Sequence, residues 1–277
     1  MSARVAVIGG GISGLVAAYQ LHQRSIDVTV IEASVRFGGP IFTERFDDFI
    51  VDAGPDSFLS TKPGGLELAK RLGIADRLIN TRDDGGGTYI VRDDELHPLP
   101  EGITLLVPTQ FKAIAETSLL DVRGKLRLLA DYVIPARRDE SDESVASFMT
   151  RRVGKQAFER LAEPLLSGIY AGDARKLGIL STFPRLRDVE RRHGGLIRGA
   201  MAMRGNAPPQ RERVHTPFVS FQGGLGEMID ALVRELDGAD LRRNVAAHRI
   251  TRQGECYQVH LSDGSSVEAD GVIVATP

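Results

Sequence analysis

One cysteine, Cys256, is all that the 277-residue chain carries. No intrachain disulfide can form, and a reducing cytoplasm is the simplest setting for such a protein. No histidine or second cysteine accompanies Cys256 in a motif, so it reads as an ordinary strand residue. Metal-ligand spacings are missing as well. The six histidines include no H-x-x-x-H pair and no accompanying carboxylate motif, so no metal site is expected. Charge of one sign is scarce too: the formal net charge is -2 at pH 7. Without a long block of one sign, nothing would gather nucleic acid. No apolar run reaches the roughly 18 residues of a membrane span. The first apolar run leads straight into a glycine loop, which a cleavable signal would destroy, so no leader is read there. Peripheral contact with a membrane stays open. The length suits one large or two ordinary domains, and 42% hydrophobic with 26% charged residues describes an ordinary globular chain.

What is present begins almost at once. The stretch VAVIGGGISG, Val5 to Gly14, sets Gly9, Gly11 and Gly14 at the spacing G-x-G-x-x-G. Val5 to Ile8 is a β-branched run suited to a strand buried on both faces. Leu15, Ala18, Tyr19 and Leu21 share one side at helical spacing, which predicts a helix over Ile12 to Gln23. Val28 to Glu32 (VTVIE) predicts a second buried strand and completes a β-loop-α-β unit. The first glycine permits a tight turn, the second lets backbone approach a pyrophosphate, and the third lets the helix pack near the strand. The loop and helix start, with Gly10, Ile12 and Ser13, offer N–H groups and partial positive charge to phosphates. Glu32 follows Gly14 by about 20 residues, where its carboxylate can accept hydrogen bonds from an adenosine ribose. A lone glycine loop is weak evidence. This one follows a strand, opens a helix and has its acid in place, which points to a dinucleotide.

The next residues bear on which dinucleotide. After Glu32 come Arg36 and the pair Gly38-Gly39, as Glu-x-x-x-Arg-x-Gly-Gly. Arg36 can neutralise phosphate charge, and two glycines let backbone approach a large ligand. Phe49 to Val51 then runs into Gly54-Pro55. That turn can meet a ligand with main-chain atoms or serve as an ordinary hairpin corner.

This pattern resembles the FAD-binding signature of the flavin monoamine oxidase superfamily. Within it, several stretches resemble the protoporphyrinogen/coproporphyrinogen III oxidases of haem biosynthesis. They are AGPDSFLSTKP (Ala53 to Pro63), LAEPLLSGIYAGDARKLGILSTFPRLRDVE (Leu161 to Glu190), GGLIRG (Gly194 to Gly199) and FQGGLGEMIDAL (Phe221 to Leu232). The resemblance covers essentially the whole chain, and the Gly168 to Asp173 segment with Phe183-Pro184 is its most discriminating part. It implies FAD as the cofactor. Gly9, Gly11 and Gly14 would face the pyrophosphate, Glu32 the ribose, and Arg36, Gly38 and Gly39 the phosphates. Gly54, Pro55, Asp56 and Ser57 would lie near the flavin ring. In RRNVAAHRI (Arg242 to Ile250), Val245 would meet adenine through its main chain. Pro40 departs from the pattern, where many relatives carry a donor or a bulky residue. The implied activity is an oxygen-dependent oxidation of coproporphyrinogen III or protoporphyrinogen IX to the porphyrin, with release of H2O2. The cytoplasm, contact at a membrane surface and handover to other haem-pathway enzymes go with it. The alternatives are another FAD-dependent amine oxidase or carotenoid desaturase, or a non-catalytic remnant that only binds a dinucleotide.

The fold class expected is α/β: a Rossmann-like FAD-binding domain of the amine-oxidase type with an inserted, mainly helical, substrate- or membrane-facing domain. The FAD-binding domain takes residues 1–85 and 215–277, and the insertion takes 86–214. RDDGGGT (Arg82 to Thr88) is the first break, and the Pro-rich, polar stretch Arg204 to Pro217 leads back. Tyr89 to Val91 and Leu96 to Pro100 suggest a hairpin. Val145, Phe148, Met149, Phe158, Leu161 and Leu165 fall on helix faces. ARRDESDES (Ala136 to Ser144) reads as a solvated connector. The chain stops at VIVATP, where family members continue, so it is expected to be an N-terminal portion that alone holds FAD weakly or not at all. No catalytic acid or base stands out. Arg92, His97 and Arg198 are cations that could meet propionates, but a solvated surface charge is the stronger reading for each.

Overall fold

The computed structural model describes residues 3–82, 87–100, 102–104, 106–108, 110–170, 172–205 and 214–277. The break at 82–88, Ala171 and most of the 204–217 stretch lie wholly or partly outside those residues. The chain divides into two compact units, Met1–Arg82 with Arg213–Pro277, and Asp83–Glu212.

The first unit is built on the strand Arg4–Ile8 (β1), the helix Ile12–His22 (α1) and the strand Asp27–Ile31 (β2). β1 pairs in parallel with β2 and with the strand Gly271–Val274, and β2 pairs in parallel with Asp240–Arg242. The apolar run of β1 is explained by burial on both faces. Val7 packs with Leu15 and Ala18 of α1, whereas Ala6 and Ile8 pack with Val259 and Leu261. Those last two belong to an antiparallel sheet of Ala247–Gln253, Cys256–Leu261 and Ser266–Ala269. A hairpin of Thr43–Phe46 (β3) and Phe49–Asp52 (β4) follows β2, turning through Asp47 at φ 48°. This is the expected α/β, Rossmann-like arrangement.

The second unit is mainly helical. The hairpin Tyr89–Arg92 with Glu95–Pro98 precedes helices that include Val122–Leu129, Val145–Val153, Glu163–Tyr170, Pro184–His193 and Leu196–Gly205. Asp121 and Ser144 cap two of them by accepting the N–H groups of Gly124 (2.7 Å) and Ser147 (3.1 Å). Phe148, Met149, Phe158 and Leu161 fill the core as their spacing predicts, but Leu166 rather than Leu165 joins them. The reason is a π turn at Phe158–Ala162, which adds a residue to the turn and shifts the apolar face.

The connector Ala136–Ser144 is not simply solvated. Arg138 to Asp142 are exposed, but Glu143 is 6% exposed and pairs with Arg151 at 2.7 Å. It belongs to a buried ionic network. Glu190 takes Arg151 (2.6 Å), Arg187 (2.5 Å) and Arg152 (3.4 Å). Arg152 also meets Asp131 at 2.6 Å, both side chains being fully buried. Among the described residues, no buried side-chain nitrogen or oxygen lacks a partner.

Candidate functional site

The glycine loop between β1 and α1 is shaped by close approach. Gly9 sits at φ +106°, and a Cβ there would lie 2.6 Å from the Ala275 carbonyl oxygen. A Cβ on Gly14 would run into the Gly9 carbonyl. Gly11 is the N-cap of α1. No side chain caps that helix and no acidic residue stands in its first turn, so the N–H groups of that turn have no side-chain acceptor.

Glu32 stands beside the loop. Its carboxylate accepts the N–H groups of Gly10 (2.6 Å) and Ser34 (2.7 Å). Partial burial alone would raise its pKa. The N–H groups of Ser34 and Gly10, the Ser34 hydroxyl and the charge of Arg36 hold it below the usual carboxylate value instead. The group is therefore a fixed anion with lone pairs to spare for ribose hydroxyls. Ser34 was not singled out from the sequence, since the bond uses its backbone N–H, which most residue types would supply.

Arg36 makes its hydrogen bonds within its own turn. Its guanidinium donates to the carbonyls of Gly39 (2.8 Å) and Ile41 (3.0 Å) and lies 4.2 Å from the Phe42 ring centroid. It orders the turn that carries Gly38 and Gly39. Gly38 donates to the Gly10 carbonyl at 2.8 Å, and a Cβ on Gly39 would lie 3.3 Å from Gly11 Cα. Two bare backbone surfaces thus face each other. Val245 is buried, and its N–H donates to the Glu32 carbonyl at 3.1 Å.

Gly54 packs on the Pro40 carbonyl, where a Cβ would not fit. Pro55 and Ser57 line a cavity of about 720 Å³ together with Ile12, Ser13, Val16 and Met228. Asp56 accepts the Ser57 hydroxyl at 2.8 Å, and its carbonyl accepts Ser220 at 2.7 Å. The loop, Glu32, Arg36, Gly38, Gly39 and Val245 thus form one cluster, and Pro55 and Ser57 reach the cavity at the start of α1. The other cations lie in the second unit and have local partners: Arg92 with Asp93 (3.1 Å), His97 with Ser118 (2.8 Å) and Arg198 with the Tyr132 carbonyl (2.6 Å).

A dinucleotide cradle on this sheet defines a class, and the chain belongs to it: the flavin containing amine oxidoreductase family matches residues 12–277. The coproporphyrinogen III oxidase of Bacillus subtilis is 35% identical over 281 residues, covering 99% of this chain and 59% of its own length. The protein of that name from Staphylococcus aureus is 35% identical, over 100% of this chain and 61% of its own length. A crystal structure from Exiguobacterium sp. 255-15, of a protein provisionally named protoporphyrinogen oxidase, superposes with a TM-score of 0.84 at 30% identity. It is covered to 60% by this chain, which is itself covered completely. The chain thus spans about three fifths of the length of these relatives.

FAD is the cofactor of this family, and the residues present fit it. The uncapped start of α1 suits a pyrophosphate, the fixed Glu32 carboxylate suits a ribose, and the bare faces of Gly11 and Gly39 leave the room that a side chain would take.

Proposed function

We propose that the protein oxidises a porphyrinogen to its porphyrin, with O2 as the oxidant and H2O2 as a product. One observation carries the reading: relatives aligned over 99% and 100% of this chain at 35% identity bear the name coproporphyrinogen III oxidase. The protein named protoporphyrinogen oxidase from Nicotiana tabacum aligns at 26%, which favours coproporphyrinogen III as the substrate.

FAD, when bound, supplies the hydride-accepting chemistry. The chain's own residues do the holding. Gly9 to Gly14 leave backbone room and helix-dipole charge for the pyrophosphate. Glu32 stays ionised and accepts from the ribose. Arg36 keeps Gly38 and Gly39 in place, and Val245 presents its main chain to adenine. Gly54 to Ser57 lie at the flavin end. A cytoplasmic location, peripheral membrane contact and handover to the next haem-pathway enzyme belong to the same proposal. The single cysteine supports the first. Val122 and Leu126, both exposed on one helix beside Arg123, support the second.

The test is to supply the purified protein with FAD and follow porphyrin fluorescence and H2O2 from coproporphyrinogen III and protoporphyrinogen IX. Faster turnover of coproporphyrinogen III is expected. No porphyrin from either, with turnover of an amine, would replace this reading by amine oxidation.

A further inference from the structure

The helix Gly226–Glu235 starts without a side-chain cap from its own N-cap residue, Leu225. Its first N–H groups are taken instead by the β3–β4 hairpin, more than 170 residues away in sequence. Asp52 Oδ1 accepts the Leu225 N–H at 3.1 Å, and Thr43 Oγ1 accepts the Gly226 N–H at 2.8 Å. The Thr43 hydroxyl in turn donates to Asp52. The glycines of FQGGLGEM make this approach possible. Gly224 sits at φ +85°, and a Cβ there would collide with Thr43 and lie 2.8 Å from Asp52 Oδ1. A Cβ on Gly226 would lie 2.9 Å from Thr43 Oγ1.

Thr43 and Asp52 face each other across the base of the hairpin. Gly38 and Gly39 lie just before that base, and Gly54 to Ser57 lie just after it. The two flanks run together, with the Ala53 N–H donating to the Phe42 carbonyl at 2.8 Å. Toward the tip, Phe46 and Phe49 are each 69% exposed, and Arg45 adds a longer bond to the Gly223 carbonyl at 3.3 Å. The hairpin is therefore held chiefly at its base, by Thr43 and Asp52.

We propose that Thr43 and Asp52 are positioning residues, which lock the hairpin base to the helix Gly226–Glu235 and so set the spacing of the two cofactor-bearing flanks. The cofactor part of this inference rests on the assignment of Gly54 to Ser57 to the flavin end. It does not depend on the identity of the substrate.

The experiment compares the full chain with T43V, D52A and the conservative T43S. Each is titrated with FAD and, separately, with ADP, which carries only the part that Gly9 to Gly14 and Glu32 would hold. T43V and D52A are expected to weaken FAD about tenfold, the loss of one or two charge-assisted hydrogen bonds. ADP binding should hold steady, and T43S should recover most of the FAD affinity. Equal loss of FAD and ADP, or no loss of FAD, overturns the proposal. Amide hydrogen exchange without any ligand gives a second arm. T43V and D52A should speed exchange across residues 38–57 and leave β1 and β2 protected; unchanged exchange in 38–57 overturns the lock. An unmodified chain that takes up no FAD would count against the cofactor site, and hydrogen exchange alone would then decide on the lock.

Discussion

The two units treat charge in opposite ways. The helical unit buries whole ions and, among the described residues, pairs them: Arg152, Asp131 and Glu190 have no exposed side-chain surface, and each is met by opposite charge. The Rossmann-like unit keeps the start of α1 uncapped by any side chain. It spends the nearby charges Glu32 and Arg36 on shaping backbone. The difference teaches where to look for a ligand. Polar groups that satisfy one another hold a fold in one arrangement. Backbone N–H groups without a side-chain acceptor, beside bare glycines, are available to a guest.

The sharpest way to break that contrast is to open the buried network. Arg152→Ala leaves Asp131 buried without its main partner and should lower the stability of the helical unit by about 3–5 kcal/mol. Denaturant unfolding followed by the helical far-UV signal reads this; a loss below about 1 kcal/mol would mean that the acid is readily solvated. Next in size is Gly14→Ala in the other unit. Its methyl must displace the Gly9 carbonyl, at an expected loss of about 1–3 kcal/mol and with FAD uptake abolished. Calorimetry and a flavin absorbance spectrum check the two effects, and retained flavin would show that the loop can yield.

The smallest effect is on acid stability. Burial pushes the Glu190 carboxyl up, but Arg151, then Arg187 and the Arg137 N–H, bring it below its ordinary value. A carboxyl depressed in the folded state contributes stability above its unfolded pKa and loses it as pH falls through the folded one. The midpoint of the helical unit should therefore stay level above about pH 5 and drop below about pH 4. Glu190→Gln should lower the plateau and flatten the drop. An unaltered slope in that variant would assign the acid transition to other groups.

Much of the dinucleotide cradle was legible because it is local. Expected strands at Val5–Ile8 and Val28–Glu32 correspond to Arg4–Ile8 and Asp27–Ile31, and the expected helix Ile12–Gln23 to Ile12–His22. Apolar periodicity and glycine spacing act over a few residues, so they can be read in order. The clamp of Thr43 and Asp52 on Gly226–Glu235 was not legible, because a polar side chain that caps a distant helix leaves no periodic trace. The connector Ala136–Ser144 misled for a related reason. A run of charges looks solvated until Arg151 and Arg187 arrive from elsewhere to bury Glu143. The phosphate role of Arg36 comes from the resemblance, and its hydrogen bonds to the carbonyls of Gly39 and Ile41 leave no trace in the sequence pattern.

The π turn at Phe158–Ala162 decides which of the residues after it meet the core. A π turn holds one residue more than an α turn, so the apolar series that runs through Phe158 and Leu161 is continued by Leu166, and Leu165 stays at the rim. Leu165 and Leu166 thus owe their direction to the length of one turn as much as to their own chemistry.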